Sequence, residues 1–157
     1  MEIILLLTGF TDQEYIKKGM ALYAKRLKHY VRFDVMEIPI PSVKGKKQFA
    51  EQKKAEVEKI MKHIRSTDHL ILLDEHKQQL SSRAFAGFLQ KKMNAGHKRL
   101  IFLVGGAYGF DQRICDRADD WLSLSSMTFP HQLIRLIFLE QLYRGFTIIH
   151  NEPYHND

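Results

Sequence analysis

A strand-like run, Leu100-Ile101-Phe102-Leu103-Val104, passes directly into Gly105-Gly106-Ala107-Tyr108-Gly109. Glycines at the carboxyl end of a buried strand let a ligand approach the backbone, and in open α/β sheets that edge is where ligands bind. An ordinary tight turn has the same composition. The spacing is G-G-x-x-G rather than G-x-G-x-x-G, and no G-x-x-x-x-G-K-[ST] occurs, which disfavours dinucleotide and P-loop sites. A second polar stretch, residues 123–132, sets Ser123, Ser125, Ser126 and Thr128 among Leu124, Met127 and Phe129. It suits a loop that wraps a polar ligand beside an apolar slot, or a plain capping loop. The tail, residues 151–157, holds Tyr154 and His155, at a position where chains are usually disordered and chemically idle. Glu140 and Arg144 stand four apart, the spacing of a helical ion pair. His76, His97, His131 and His150 lack metal spacing, Cys115 has no evident base beside it and no G-x-S-x-G is present, so covalent hydrolase chemistry has no support.

These candidates need elements to position them. Residues 3–7, 70–73 and 100–104 are continuous apolar runs closed by Gly or Asp, the pattern of strands buried on both faces in a parallel sheet, and residues 33–38, closed by Pro39 and Pro41, resemble them. Residues 121–124 are a weaker fifth candidate. Helical stretches alternate with the strands, which predicts an α/β fold. Asp12 is expected to cap a first helix whose apolar stripe is Tyr15, Ile16, Met20, Tyr23, Leu27 and Tyr30, with Lys17, Lys18, Lys25, Lys28 and His29 opposite. Ser81 or Ser82 caps a third helix that Gly96 stops, and Asp111 caps a short fourth. Pro130 suits the first turn of the last helix. That helix is apolar nearly all round, from Leu133 to Phe146, so it is expected either at a dimer interface or in the core.

At 157 residues with 45% apolar and 27% charged side chains, the chain is expected to be one globular domain rather than two domains, a disordered chain or a fibre. The single cysteine excludes an intrachain disulfide and a thiolate metal framework and fits a reducing cytosol. The apolar start is too short for a membrane span and lacks signal-peptide features, so the expected location is cytoplasmic. Net charge is +6, which favours an anionic partner such as nucleic acid. Residues 17–54 hold eleven basic and three acidic side chains, +8, leaving −2 for the remainder. The positive surplus belongs to one early segment.

Taken in order, Val104-Gly105-Gly106-Ala107-Tyr108-Gly109, Leu124-Ser125-Ser126-Met127-Thr128-Phe129-Pro130-His131-Gln132, Glu140-Gln141-Leu142-Tyr143-Arg144 and Pro153-Tyr154-His155 resemble the ribosomal large subunit methyltransferase H family of SPOUT-class enzymes. Tyr23-Ala24-Lys25-Arg26-Leu27, Val35-Met36-Glu37-Ile38-Pro39 and Leu72-Leu73-Asp74 match as well, so the resemblance covers the full length. One departure follows Leu73: relatives often carry Gly-Lys in the next loop, whereas this loop reads Asp74-Glu75-His76-Lys77-Gln78-Gln79.

The resemblance implies one SPOUT domain over residues 1–157, a parallel sheet with helices on both faces and a C-terminal trefoil knot, assembled as a homodimer. It also implies transfer of a methyl group from S-adenosylmethionine to N3 of a pseudouridine in 23S ribosomal RNA of the assembled ribosome, with no metal and no membrane. By the same resemblance Leu73, Gly105, Leu124, Ser125, Ser126, Met127, Thr128 and Phe129 hold the cofactor. His155 is the candidate base, Tyr154 a positioning group and Arg144 a stabiliser of charge on the uracil ring, unless Arg144 serves only to pair with Glu140. Lys18, Lys25, Lys46 and Lys47 are expected to dock the RNA. A ribosome-associated RNA-binding protein without activity, or a SPOUT enzyme acting on transfer RNA, would account for the charge equally well.

Overall fold

The computed structural model describes residues 1–40, 46–106 and 109–156, and the side chains of residues 46–49 and 52 lie outside that description. Five strands, β1 (Glu2–Thr8), β2 (Arg32–Ile38), β3 (His69–Leu73), β4 (Arg99–Val104) and β5 (Asp120–Leu122), form one sheet in the order β2-β1-β4-β3-β5. All pairings are parallel, with Leu5 facing Val35 on one side and Phe102 on the other. The continuous apolar runs are explained by the two cores that this sheet separates. Ile3, Leu5, Leu7, Ile71 and Phe102 pack beneath α1 (Glu14–Leu27), α3 (Ser82–Asn94) and α5 (Leu133–Ile149). Ile4, Leu6, Leu70, Leu72 and Ile101 point the other way, toward Val57 and Ile60 of α2 (Lys46–His63) and Ile114 of α4 (Gln112–Arg117). Alternate residues of each strand thus serve opposite cores.

Ser81 caps α3 by accepting from Ala84 N, and Asp111 caps α4 by accepting from Arg113 N, as expected from their side-chain chemistry. Three local expectations are corrected. Gln13, not Asp12, occupies the α1 cap, without a side-chain bond; the Asp12 N–H is instead held by Gln132 Oε1 at 3.1 Å. Tyr15 is 63% exposed, because at the first turn of α1 it points outward rather than along the stripe. Pro130 precedes α5, its carbonyl accepting from Ile134 N at 3.1 Å; the chain remains irregular until Leu133. The fifth strand is also shorter than expected, ending at Leu122.

α5 lies over the sheet between α1 and α3. Its approach is close: a Cβ on Gly19 of α1 would meet Leu136 Cδ1 at 2.7 Å, and one on Gly145 would meet Leu89 Cδ1 at 2.8 Å. Phe138, Leu139, Leu142 and Phe146 are buried, which favours the core alternative for most of this helix. Among them sits Arg135, only 2% exposed. Its Nη2 donates to Thr8 O at 2.8 Å, and its Nη1 lies 2.9 Å from Thr11 Oγ1 and 3.1 Å from Gly9 O. Glu37 Oε1 stands 3.9 Å away and accepts from Thr11 N at 3.0 Å and Thr11 Oγ1 at 2.5 Å. Burial pushes the guanidinium pKa down, and Glu37 opposes that shift.

Arg135→Ala should therefore lower unfolding stability by about 3 kcal/mol, because it empties a large buried volume and strands the Thr8 and Gly9 carbonyls. Urea titration followed by circular dichroism measures this; a loss below about 1 kcal/mol, the net worth of one ordinary hydrogen bond, would mean that the clamp is not structural.

Candidate active site

The connections leaving β3 and β4 go to opposite faces, to α3 and to α4, so a crevice opens beyond these adjacent strand ends. A cleft of about 590 Å³ lies there, within the size range of small-molecule sites. Its walls come from the end of β3 (Leu73 to His76), the end of β4 (Val104 to Gly106, Gly109 and Phe110) and the loop after β5. Leu73, Gly105, Leu124, Ser125, Met127, Thr128 and Phe129, all expected from the sequence, line it together. Ser126 belongs to the same loop but is exposed and does not line the cleft. Ala107 and Tyr108 of the glycine turn lie outside the described residues.

Each wall has a local cause. A Cβ on Gly105 would meet Phe110 Cε1 at 2.9 Å, so this glycine is required first by the aromatic wall behind it. Phe110 in turn stands edge-on to Trp121, with centroids 6.1 Å apart. The β3 loop turns without glycine because Asp74 Oδ1 accepts from His76 N at 2.8 Å, a local turn made by the side chain. Lys77 then lies over the Trp121 ring, 4.6 Å from its centroid. In the third wall the Ser125 hydroxyl accepts from Met127 N at 2.9 Å. Ser123 N donates to Gln78 O at 2.9 Å, tying the post-β5 loop to the post-β3 loop.

The cleft's charge is distinctive. Asp74, Glu75, His76 and His131 line it, and among the described residues no lysine or arginine does. Such a lining accepts a small cation more readily than a polyphosphate. The sequence reading missed Asp74, Glu75, His76, Phe110 and Ile134, and it included His131 only as part of the 123–132 loop. The signal available for the first three was adjacency to a strand end.

The structure also brings Arg144, Tyr154 and His155 together, at a second place. The helix ends on His150, and Asn151 at φ 55° reverses the chain, a left-handed cap that asparagine tolerates. Glu152 N then donates to Thr147 O at 2.9 Å and Tyr30 Oη donates to Glu152 Oε2 at 2.6 Å, so the tail is bound down. Glu140 Oε1 accepts from Arg144 Nη2 at 2.6 Å, Arg144 Nε at 3.1 Å and Tyr154 Oη at 3.1 Å. The pair expected between Glu140 and Arg144 is present, and its hydrogen bonds hold the guanidinium more firmly protonated. Burial, with hydrogen bonds to Tyr23 and Glu140, pushes the Tyr154 phenol well above its ordinary pKa. Arg144 Nη1 lies 3.2 Å from His155 Nδ1. A guanidinium only donates, so Nδ1 accepts here, and a neutral ring carries its proton on Nε2. Arg144, Tyr154 and His155 are absent from the cleft lining of the same chain.

Lys18 and Lys25 are exposed on the outer side of α1. The side chains of Lys46 and Lys47, in the first turn of α2, lie outside the described residues.

A family model described as "Predicted SPOUT methyltransferase" matches residues 1–155. A protein of Christiangramia forsetii named Ribosomal RNA large subunit methyltransferase H is 48% identical, covering 99% of this chain and 99% of its own. Proteins of the same name from Flavobacterium johnsoniae and Porphyromonas gingivalis are 49% and 44% identical, over 99% and 100% of both chains respectively. The chain belongs to the SPOUT methyltransferase family, with these large subunit methyltransferase H relatives. A solved structure of "a probable methylase family protein" from Haemophilus influenzae Rd KW20 shares the fold at a TM-score of 0.50 and 15% identity, covering 95% of this chain and 66% of that one. In this SPOUT methyltransferase the cleft at the strand ends and the tail cluster are therefore two separate groups of residues, with Glu140 as the hub of the second.

Removing that hub by Glu140→Ala should loosen the tail by about 1.5 kcal/mol, roughly tenfold in its opening equilibrium, the worth of a charge-assisted hydrogen bond. Hydrogen exchange should show faster amides at residues 152–156 with β4 unchanged; equal rates in both proteins would assign tail docking to Tyr30 and Glu152 instead.

Proposed function

We propose that this chain transfers a methyl group from S-adenosylmethionine to N3 of a pseudouridine in 23S ribosomal RNA of the assembled ribosome. The observation that carries the reading is the cleft lined by carboxylates and free of lysine and arginine among the described residues, in a chain whose positive charge is concentrated in residues 17–54. A sulfonium ligand suits the first, and a polyanion suits the second. The names of the full-length relatives support ribosomal RNA as that polyanion.

Leu73, Gly105 and the loop from Leu124 through Ser125, Ser126, Met127 and Thr128 to Phe129 would hold the cofactor. Leu124, Met127 and Phe129 supply apolar contact, and the backbone and Thr128 supply polar contact. When bound, the cofactor provides an electrophilic methyl on a positively charged sulfur. The N3 proton of the uracil ring is weakly acidic, so it needs a base and a cation near the developing negative charge. His155 is assigned the first task and Arg144 the second, with Tyr154 orienting the ring. Their present arrangement suggests how the two tasks are linked. Arg144 Nη1 occupies the His155 Nδ1 lone pair; when Arg144 turns to a uracil carbonyl, that lone pair is released to take the proton from N3.

Because these three residues stand apart from the cleft of their own chain, a second copy is assigned the task of presenting them, giving a homodimer. Projected at 100° per residue, Ile137 and Ile148 fall on the side of α5 away from the sheet, and each is half-buried, so apolar surface is available for that contact. The whole chain is read as one domain, with the C-terminal trefoil knot that the family resemblance implies, acting in the cytoplasm without a metal. Lys18, Lys25, Lys46 and Lys47 are assigned to RNA docking.

Two measurements test this reading. Radiolabelled methyl transfer to ribosomes from a strain lacking the enzyme should proceed with wild type, with transfer RNA inert, and should fall below detection when residues 154–157 are deleted while calorimetric cofactor affinity changes little. Methylation of transfer RNA alone, no transfer to either RNA, or full activity of the truncated chain would refute the substrate, the activity or the tail assignment, respectively. Neutralising Lys18, Lys25, Lys46 and Lys47 to Gln should weaken ribosome binding and flatten its dependence on log salt by about 0.7 to 0.9 per lost phosphate contact. An unchanged slope would place the RNA elsewhere.

A further inference from the structure

The flank of α1 nearest β2 carries Lys17, Ala21, Ala24 and Lys28, spaced to form one helical stripe. Two small residues between two lysines leave a trough of about 250 Å³. Val35, with the edges of the buried Met20 and Phe33, gives it an apolar lining, and Thr11, Asp34 and Glu37 form its polar wall. β2 is an edge strand. Gly19, on another side of the same helix, faces α5. The trough shares no residue with the strand-end cleft.

Charge is divided across this trough. Lys17 and Lys28 stand on the helical rim, with Lys18 and Lys25 exposed on the same helix, whereas Asp34 and Glu37 stand on the strand wall. The Lys17 pairing with Glu14, at 3.2 Å on the surface, is weak competition for a phosphate. A nucleotide has the complementary division, an anionic phosphate at one end and a flat base with N–H donors at the other. We infer that the trough receives an unstacked nucleobase of the substrate RNA, with its backbone along Lys17 and Lys28 and an N–H edge toward Glu37. The inference rests on the RNA-substrate reading given above and adds a second place of contact to it.

Three physical points support this occupant. An aromatic side chain beside a basic track is the ordinary means of holding single-stranded bases, and Phe33 is the aromatic of this lining. The two lysines are eleven residues apart, about 16 Å along the helix, so they reach separate phosphates along a strand rather than a single one. Finally, the carboxylate wall is preorganised, since Thr11 donates twice to Glu37 Oε1 and Arg135 lies 3.9 Å from the same atom. Those carboxylates repel phosphate and thereby set the direction in which a nucleotide enters.

The test is ultraviolet cross-linking of wild-type enzyme to unmodified ribosomes, with peptide mapping by mass spectrometry. RNA adducts within residues 17–35 that include Met20 or Phe33 are expected. Adducts confined to other segments, or linkage of this segment to a ribosomal protein, would overturn the inference. In parallel, Ala21→Leu with Ala24→Leu fills the trough and should weaken ribosome binding roughly tenfold, the scale of one lost base contact, while calorimetric cofactor affinity is unchanged. If that variant unfolds, the wild-type adduct map decides. Undiminished ribosome binding by a folded filled variant overturns the trough alone, whereas wild type that neither binds nor methylates ribosomal RNA overturns the substrate reading and this inference with it.

Discussion

A buried guanidinium is costly unless its donors find acceptors, and Arg135 Nη1 and Nη2 find them at the carboxyl end of β1, while Nε has none. That requirement fixes where α5 begins. The loop before α5 forms one wall of the cleft, and it is held at both ends: Ser123 ties its start to the loop after β3, and Arg135 ties its end to Thr8 and Gly9. The helix that Arg135 anchors also carries Glu140 and Arg144, on which Tyr154 and His155 dock. Cleft and tail cluster are thus placed by the two ends of one helix. A shift of α5 would move both, which is a physical reason for its close approach to α1 and α3 at Gly19 and Gly145.

The two edges of the sheet are finished differently. At the amino edge charged groups pair with one another: Arg99 Nη1 pairs with Asp68 Oδ2 at 3.0 Å, and Asp120 takes both His69 and Lys92. Burial there works to raise the Asp120 pKa, yet the bonds from Lys92 and His69 outweigh it and lower the pKa. At the carboxyl edge the strands end in glycine, aspartate and serine, whose turns open the cleft. A parallel sheet places all its carboxyl ends on one side, so a site built there draws on several strands at once. The amino edge is closed by ion pairs, and the carboxyl edge is left for a ligand.

How much of this was legible in the sequence depended on how local its cause is. The runs of β1, β3 and β4 were readable because both faces are buried, and the caps at Ser81 and Asp111 because a cap bonds within two or three residues of itself. Asp12 failed as a cap where a distant side chain, Gln132, holds its N–H. Arg135 left no signal, because a single charge in an apolar helix has the composition of an exposed position, and its partners lie 124 to 127 residues away. Most of the cleft loop was legible from its position after a strand. The tail was legible only through family resemblance, since the bonds that order it reach from Tyr30 and Glu140. That Nδ1 of His155 is engaged by Arg144 is a fact of geometry alone.

The separation of charge along the chain follows from the proposed reaction having two substrates of opposite sign. A cation and a polyanion that must meet at one atom would be poorly served by a uniform surface. Lysines lining the cleft would attract phosphate into the cofactor's place and repel the sulfonium, whereas carboxylates spread over α1 would repel the RNA. Placing Asp74 and Glu75 at the strand ends and Lys18 and Lys25 on an outer helix avoids both conflicts. The residual problem is that the uracil ring, once delivered, must lose a proton beside an acidic cleft, where negative charge is disfavoured. In the proposed reading Arg144, on α5 and outside the cleft lining of its own chain, would supply that positive charge from the second copy, at the uracil ring rather than among the contacts of the cofactor. On this reading the tail cluster is separate for an electrostatic reason: a permanent guanidinium in the cleft would weaken binding of the methyl donor that the same cation later helps to use.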